Sequence, residues 1–165
     1  MTTFQTNRRA IDGVHVFQAP DGLVQNLQKV LVDLIELHLQ GKQAHWNLVG
    51  TNFRDLHLQL DDIVDLAREA ADTIAERMRA LDAVPDGRTD TVAATTSIPA
   101  APAGLVGTAD TVDIVTDRIY ATVDTVRTVH DEVDAADAST ADLLHTIITE
   151  LEKQAWMLKS ENGKV

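Results

Sequence analysis

Residues 42–77 read KQAHWNLVGTNFRDLHLQLDDIVDLAREAADTIAER and hold two histidines and a series of carboxylates at helical intervals. A turn is predicted around Gly50, Asn52 and Phe53, because glycine and asparagine favour turns and helix starts. From residue 52 to residue 83 there is no Gly or Pro, so one uninterrupted helix is predicted there. Four candidate metal ligands share this helix, and a fifth precedes the turn: His57, Asp61, Asp72 and Glu76, with His45 before them.

The spacing of these side chains bears on how many chains a metal site would need. Asp61 and Asp72 lie about 16 Å apart along a helix that rises about 1.5 Å per residue, whereas metal ligands lie about 2.0–2.6 Å from the ion. One helix therefore cannot close the site. A twofold-related antiparallel copy would bring the Asp72 end of one helix beside the His57 end of the other. The spacing predicts a dimer that shares its sites.

The angular positions agree with this interpretation. At about 100° per residue, His57 and Asp61 lie one turn apart on one face, and Asp72 returns to nearly the same direction as Asp61. Glu76 follows one turn later. Any one of these acidic residues alone is most simply a solvated side chain. The phase of the whole set, beside His45, favours a site.

Composition limits the possible functions. The chain has 165 residues, 44% hydrophobic and 4% aromatic, which is typical of a single domain of helices packed on helices. The absence of cysteine excludes disulfides, thiolate zinc sites and iron–sulfur clusters. The net charge of −12 and the pI near 4.7 argue against general affinity for nucleic acid or anionic lipid, and they favour attraction of cations.

No secretory signal or membrane span is recognisable in the sequence, so we expect a cytoplasmic protein without a membrane partner; nucleoid association stays open. We predict an N-terminal tail over residues 1–20, a helical bundle over 21–161 and a short C-terminal tail over 162–165.

The predicted fold is all-α. Asp21 is a candidate N-cap of a helix running to about residue 47, and Asn52 caps a second helix to about 81. Residues 82–107 form a long link, within which a short helix is expected at 89–95. A further long helix is expected over 108–135. Residues 139–142, Ser-Thr-Ala-Asp, resemble a capping box that opens the last helix. Two helical hairpins joined by one long crossover, which must travel about 40 Å, are typical of a ferritin-like four-helix bundle.

The segment 42–77 resembles the Dps family, the mini-ferritins named for DNA-binding proteins from starved cells. The matching pattern is His-Trp at 45–46, followed by His57, Asp61, Asp72 and Glu76 without departure. A second match is LEKQAWMLKSE at 151–161, and the resemblance covers about 21–161. It implies a hollow dodecamer that oxidises Fe(II), usually with hydrogen peroxide, and stores ferric mineral inside. It also implies that His45, His57 and Asp61 come from one subunit and Asp72 and Glu76 from its twofold mate.

The donor types suit this chemistry. Imidazole and carboxylate ligands accept Fe(II) and tolerate Fe(III), and Zn(II) and Mn(II) would compete for them. Two irons per shared site could give peroxide two electrons together. Glu76, with the longer side chain, is our candidate for a ligand shared between the irons.

Other residues have weaker roles, each with an alternative. Trp46 could take up stray oxidising equivalents or pack in the core, and Trp156 is expected to pack. Asp65 either orients a histidine ring or is an exposed carboxylate. An iron-entry pore is predicted at Asp142, with Asp137 and Asp134 as neighbours, although an Asp in a first helical turn is also favoured by the helix dipole. Arg8 and Arg9 are candidates for weak DNA contact. Ordinary packed or surface positions are expected for His15, His38, His130 and His145.

Three functional classes remain. Iron oxidation and storage is the leading one. A DNA-compacting architectural protein has thin support, from Arg8, Arg9 and Lys164, and DNA binding should be weak or absent at physiological salt. Metal-assisted hydrolysis of an amide or ester is the third class, but no oxyanion donor is recognisable in the sequence.

Overall fold

Four long helices and one short helix make up most of residues 17–163, the part of the chain that the computed structural model describes. The helices are α1 (Asp21–Asn47), α2 (Phe53–Ala80), α3 (Thr89–Thr95), α4 (Thr108–Ala136) and α5 (Ala138–Ser160). Two short strands, β1 (Leu48–Val49) and β2 (Val106–Gly107), pair in parallel. The predicted four-helix bundle with a short crossover helix is confirmed, whereas the strand pair was not predicted.

Side-chain hydrogen bonds define the direction of each helix. Three of them join α1 to α4 so that residue numbers rise on one helix as they fall on the other: Asn26 to Glu132, Thr125 to Asp33, and Arg118 to Gln40. The same antiparallel relation holds between α2 and α5, through Asn52 with Glu161 and Arg77 with Asp137. Because α1 and α2 form an antiparallel hairpin, α2 and α4 run parallel, and the link between them must cross the length of the bundle.

The crossover over residues 81–107 lies along α1. Gln28 exchanges two hydrogen bonds with the backbone of Asp86, and Gln40 donates to the carbonyl of Pro99. At its far end, Leu48 pairs with Val106 across the two strands. These bonds satisfy backbone groups that a long loop would otherwise leave to solvent.

A buried carboxylate joins the crossover to two helices. Asp33, only 2% exposed, accepts hydrogen bonds from Thr96 Oγ1, Ser97 N, Ser97 Oγ and Thr125 Oγ1 at 2.5–2.8 Å. A buried charge is tolerated where it is fully hydrogen-bonded. Asp33 therefore ties α1, the crossover and α4 together.

The core consists of apolar side chains at helical spacing. In the last two long helices they are Val112, Val115, Ile119, Val123, Val126 and Val133 from α4, with Leu144, Ile147, Ile148, Leu151, Ala155 and Leu158 from α5. In residues 17–163, none of the helices combines the length and apolar character needed to cross a lipid bilayer.

The predicted helix caps were partly wrong. Pro20, rather than Asp21, occupies the N-cap of α1. Asn52 is at the N-cap of α2, but its backbone is left-handed (φ 61°) and its side chain donates to Glu161 instead of capping. The last helix starts earlier than the capping box indicated, with Asp137 at the N-cap. There, the Thr140 hydroxyl donates to the Asp137 carboxylate rather than forming a box that starts at Ser139.

Candidate metal centre

His45 and His57 meet where α1 ends and α2 begins. Their rings stack with centroids 3.6 Å apart and an interplanar angle of 24°. His45 Nδ1 lies 2.9 Å from the His57 carbonyl oxygen, and His57 Nδ1 lies 3.1 Å from the His45 carbonyl oxygen. A carbonyl only accepts hydrogen bonds, so each Nδ1 carries the proton. In neutral rings, both Nε2 atoms therefore keep a lone pair, the form that binds a metal.

Aromatic neighbours surround the pair. His45 is 7% exposed, and the ring of Phe53 lies against His57 with centroids 5.1 Å apart. Trp46 is 68% exposed, so within one chain it does not pack in the core as one of the two predictions allowed. Stacking against both His45 and Phe53 restricts the orientation of the His57 ring.

Asp61 lies beside this pair and has a cationic neighbour. The Lys42 ammonium group donates to Asp61 Oδ1, which is 3.3 Å from His45 Nδ1. The hydrogen bond from Lys42 is the largest cause of the lowered pKa of Asp61. The carboxylate is therefore held ionised, as a metal ligand must be. Sequence analysis missed Lys42, although it lies three residues before His45 and thus on the same side of α1.

Asp72 and Glu76 are farther along α2, where both are exposed. The helix places them about 16 Å and about 22 Å from Asp61 along its axis. Within residues 17–163, no group of three or more His, Asp or Glu side chains is arranged to hold a metal ion in one chain. The structure thus brings together His45, His57 and Asp61 but not the other two predicted ligands.

A wide groove of about 660 Å³ lies between α1 and α2 and includes Asp72 in its lining. Asp65 also lines it and is exposed. Both histidine Nδ1 atoms are hydrogen-bonded to backbone carbonyls, so the predicted orienting role of Asp65 is filled by the backbone. His38 lies in the same groove. Burial, and secondarily the charge of Arg68, lowers the pKa of His38.

The predicted pore residues have different surroundings. Asp137 accepts a 2.6 Å hydrogen bond from Arg77 and another from Thr140. Burial acts to raise the pKa of Asp137, but these hydrogen bonds and the Arg77 charge outweigh it and leave the pKa lowered. Asp137 is therefore engaged within the chain rather than free. Asp134 and Asp142 are exposed.

Two other predictions need correction. His130 and His145 were expected to be ordinary packed or surface histidines, yet their Nε2 atoms lie 2.7 Å apart. The histidines are 15 residues apart on different helices, so no spacing rule along one helix could find the pair. Trp156, expected to pack, is 61% exposed. Arg8, Arg9 and His15 lie outside the described residues.

The chain is similar in sequence and structure to known proteins. Residues 24–165 match the family model for the ferritin-like domain. The chain is 34% identical over 137 residues to DNA protection during starvation protein 2 of Deinococcus radiodurans, covering 83% of this chain and 57% of that protein. It is 33% identical over 135 residues to the DNA protection during starvation protein of Agrobacterium fabrum, covering 81% and 83%. The match to the Halobacterium salinarum protein of the same name, 40% identical over 88 residues, spans 53% of this chain and 46% of that protein.

Solved structures give the same result. Dps92 from Deinococcus radiodurans superposes with a TM-score of 0.81 at 33% identity, covering 84% of each chain. Dps from Microbacterium arborescens, determined in a high iron form, superposes with a TM-score of 0.83 at 32% identity, covering 90% of this chain and 100% of that one.

Proposed function

Because the chain belongs to the Dps family of ferritin-like proteins, we propose that it oxidises Fe(II) and stores the ferric product inside a hollow dodecamer of identical chains. The observation that carries the proposal is the reciprocal hydrogen bonding of His45 and His57. In neutral rings it holds both Nε2 atoms in the unprotonated form that binds a metal.

We propose that the remaining ligands come from a second copy. Asp72 and Glu76 are exposed on the side of α2 that carries Asp61. Large apolar side chains are exposed on the same sides of α1 and α2: Leu39, Trp46 and Leu58. A twofold partner would bury these side chains while its carboxylates approach the histidine pair.

Lys42 gives this site a defined resting state. Its ammonium group neutralises Asp61 when iron is absent. Fe(II) would take over that role, and Lys42 would move away, since two cations cannot share one carboxylate oxygen without repulsion. Zn(II) and Mn(II) would compete for the same donors.

The proposed reaction is balanced. Two Fe(II) ions each lose one electron, the O–O bond of hydrogen peroxide breaks, and two protons complete two water molecules. Because both electrons leave together, no hydroxyl radical is released. The iron-bearing form of the Microbacterium arborescens protein supports iron as the substrate class.

DNA protection is a second candidate, favoured by the names of the relatives. Shielding DNA could follow from removal of Fe(II) and peroxide, with no DNA contact. The net charge of −12 favours that indirect route. For hydrolysis, the described residues offer no specific supporting observation.

An anaerobic Fe(II) titration followed by peroxide tests the proposal. We expect saturable Fe(II) binding and then oxidation of two irons per peroxide, with a soluble ferric product of uniform size. The Asp61→Asn variant should lose rapid oxidation, whereas Asp62→Asn, the same change on an exposed neighbour one residue away, should retain it. Equal loss in both variants, or no Fe(II) binding by the wild type, would contradict the proposal.

A further inference from the structure

A second histidine pair lies on the other helical hairpin. His130 on α4 and His145 on α5 have ring centroids 4.5 Å apart and an interplanar angle of 32°. Their Nε2 atoms point at each other at 2.7 Å. None of the residues proposed for iron oxidation belongs to this pair.

The protons of the pair can be assigned from its neighbours. His130 Nδ1 lies 3.1 Å from Asp131 Oδ1, a carboxylate that accepts, so this nitrogen is the donor. In the neutral ring, His130 Nε2 then has a lone pair and accepts the proton of His145 Nε2. A single hydrogen therefore lies between the two Nε2 atoms, which already point at each other as two ligands of one metal ion would.

The outer nitrogens of both rings face carboxylates. His130 Nδ1 faces Asp131, and His145 Nδ1 lies 3.7 Å from Asp142 Oδ1. The contact of His130 with Asp131 is the carboxylate–histidine arrangement that orients imidazole ligands of metals and makes them more basic. Asp142 could do the same for His145 once the Nδ1 of that ring carries the proton. We propose that His130 and His145 bind a divalent cation between their Nε2 atoms, of the class that prefers imidazole, with Zn²⁺ as the representative ion.

The geometry needs little adjustment. Metal–nitrogen distances of about 2.0–2.1 Å at a tetrahedral angle set the two nitrogens about 3.3 Å apart. The rings must therefore separate by about 0.6 Å. His145 can move, because its side chain is 58% exposed. On metal binding, its proton passes to Nδ1, facing Asp142, or to solvent. The adjoining cleft of about 160 Å³ leaves room for water to complete the coordination.

The charges around the pair favour a cation. Asp131 and Asp142 are both highly exposed carboxylates. Arg127 lines the same cleft, but its guanidinium donates to Glu152 at 2.5 Å and 3.2 Å, so its charge is compensated. Asp134 follows His130 by one turn of α4 and adds negative charge on that side.

The site is separate from the first histidine pair and is made by one chain. Glu161, at the end of α5, accepts a hydrogen bond from Asn52, so the end of α5 lies beside the start of α2 and near the first histidine pair. His145 lies 16 residues before Glu161, about 24 Å back along α5. All four contacting groups belong to the α4–α5 hairpin, so this site needs neither a second copy nor iron oxidation.

Zn²⁺ binding to the full-length assembly tests the inference. Bound Zn²⁺ per chain is counted by equilibrium dialysis for the wild type, for His145→Asn and for His38→Asn as the matched control. We expect the His145→Asn variant to bind one Zn²⁺ per chain fewer than the wild type. The His38→Asn variant should bind as many at this site as the wild type. Asp131→Asn should weaken the same site by about 10- to 100-fold, as loss of a carboxylate behind a ligating histidine does.

Diffraction at the zinc absorption edge locates the ion. A peak bonded to both His130 Nε2 and His145 Nε2, absent in His145→Asn, is the expected result. Equal Zn²⁺ counts in the wild type and His145→Asn would overturn the inference, as would a peak bonded to only one ring. These readouts do not depend on His57 or Asp61. Loss of zinc from those residues bears only on the proposed iron site.

Discussion

Each of His45 and His57 donates its Nδ1 hydrogen to the other's backbone carbonyl while the two rings stack 3.6 Å apart. Neither ring can rotate without losing a hydrogen bond that is worth about 1 kcal/mol. The turn between α1 and α2 thereby holds two ligands in one tautomer and one orientation. Such preorganisation lowers the cost of metal binding.

The shared-site proposal predicts complementation between inactive variants. His57→Ala and Glu76→Ala should each abolish rapid Fe(II) oxidation, because each removes a ligand from every site. In a mixed dimer, one site carries both lesions and the other carries none. Random mixing gives mixed dimers in half of all cases, so about a quarter of wild-type activity should return. Stopped-flow absorbance on co-refolded variants measures it. If hetero-oligomers form and activity stays absent, the ligands are not shared.

Peroxide should oxidise bound Fe(II) faster than dioxygen. The prediction rests on the resemblance of the ligand pattern to that of the peroxide-using Dps family. Two irons at one site can supply the two electrons that reduce hydrogen peroxide to water, whereas the same two electrons reduce dioxygen only to peroxide. Rapid mixing with each oxidant at equal concentration compares the rates, and a spin trap reports hydroxyl radical. The site variant Asp61→Asn is the control for oxidation off the protein. Faster oxidation by dioxygen would contradict this prediction.

Much of the fold was predictable from sequence because it depends on periodicity within one helix. The spacing of apolar residues in α1, α4 and α5 and the position of α3 needed only local signals. The four hydrogen bonds to Asp33 did not follow from sequence, because an aspartate in a helix is usually solvated and its partners lie 63 to 92 residues away. The β1–β2 pair joins two-residue segments, too short for an alternating pattern.

In the candidate metal centre, too, the residues at local spacing could be predicted from the sequence, and their contacts with other residues could not. His45, His57 and Asp61 share local spacing that sequence analysis could use. Their Lys42 partner was missed, because a lysine on a helix is most often a solvated charge. Asp72 lies about 16 Å along α2 from Asp61, so the completion of the site by Asp72 and Glu76 is proposed through a second chain.

Removing the Asp33 carboxylate should destabilise the fold. Asp33→Ala removes the buried acceptor of four hydrogen bonds whose donors are partly exposed, at a cost of about 2–3 kcal/mol. Asp33→Asn keeps one oxygen and should cost about half as much. Thermal unfolding at fixed protein concentration measures both, because oligomer stability depends on concentration. Asp124→Asn, the same change at an exposed position on α4, should have little effect. An unchanged transition in Asp33→Ala would show that the carboxylate does not stabilise the crossover.

Arg77→Gln should make the protein more sensitive to acid. The pKa of Asp137 is lowered in the folded protein, so its contribution to stability is present above the unfolded-state pKa. That contribution is lost as the pH falls through the lowered pKa. Without Arg77, the pKa of Asp137 rises towards its unfolded-state value, so the contribution is smaller and is fully lost at a higher pH. Circular dichroism during acid titration should show the transition shifted upward. Arg79→Gln is the control, because it removes the same charge from α2 at a guanidinium that donates to the Ala83 carbonyl and not to Asp137. Equal shifts in both variants would refute the role of the ion pair.

DNA binding should be weak or absent near neutral pH and physiological salt. Each chain carries a formal charge of −12, so a dodecamer would carry 12 × (−12) = −144 before iron enters. Most non-specific affinity comes from phosphate contacts, each of which adds about 0.9 to the slope of log affinity against log salt.

Arg8 and Arg9 are the candidates for DNA contact, and a dodecamer would carry them on each of its chains. Together they could give multivalent contact with DNA phosphates at low salt. Gel shifts from low to physiological salt should show binding only at the low end, lost in a variant without residues 1–10 and in Arg8→Ala/Arg9→Ala. The control Gln5→Ala/Asn7→Ala changes the same segment without changing its charge and should bind like the wild type. Tight binding that survives physiological salt would contradict the prediction, because the net repulsion leaves too few phosphate contacts to sustain it.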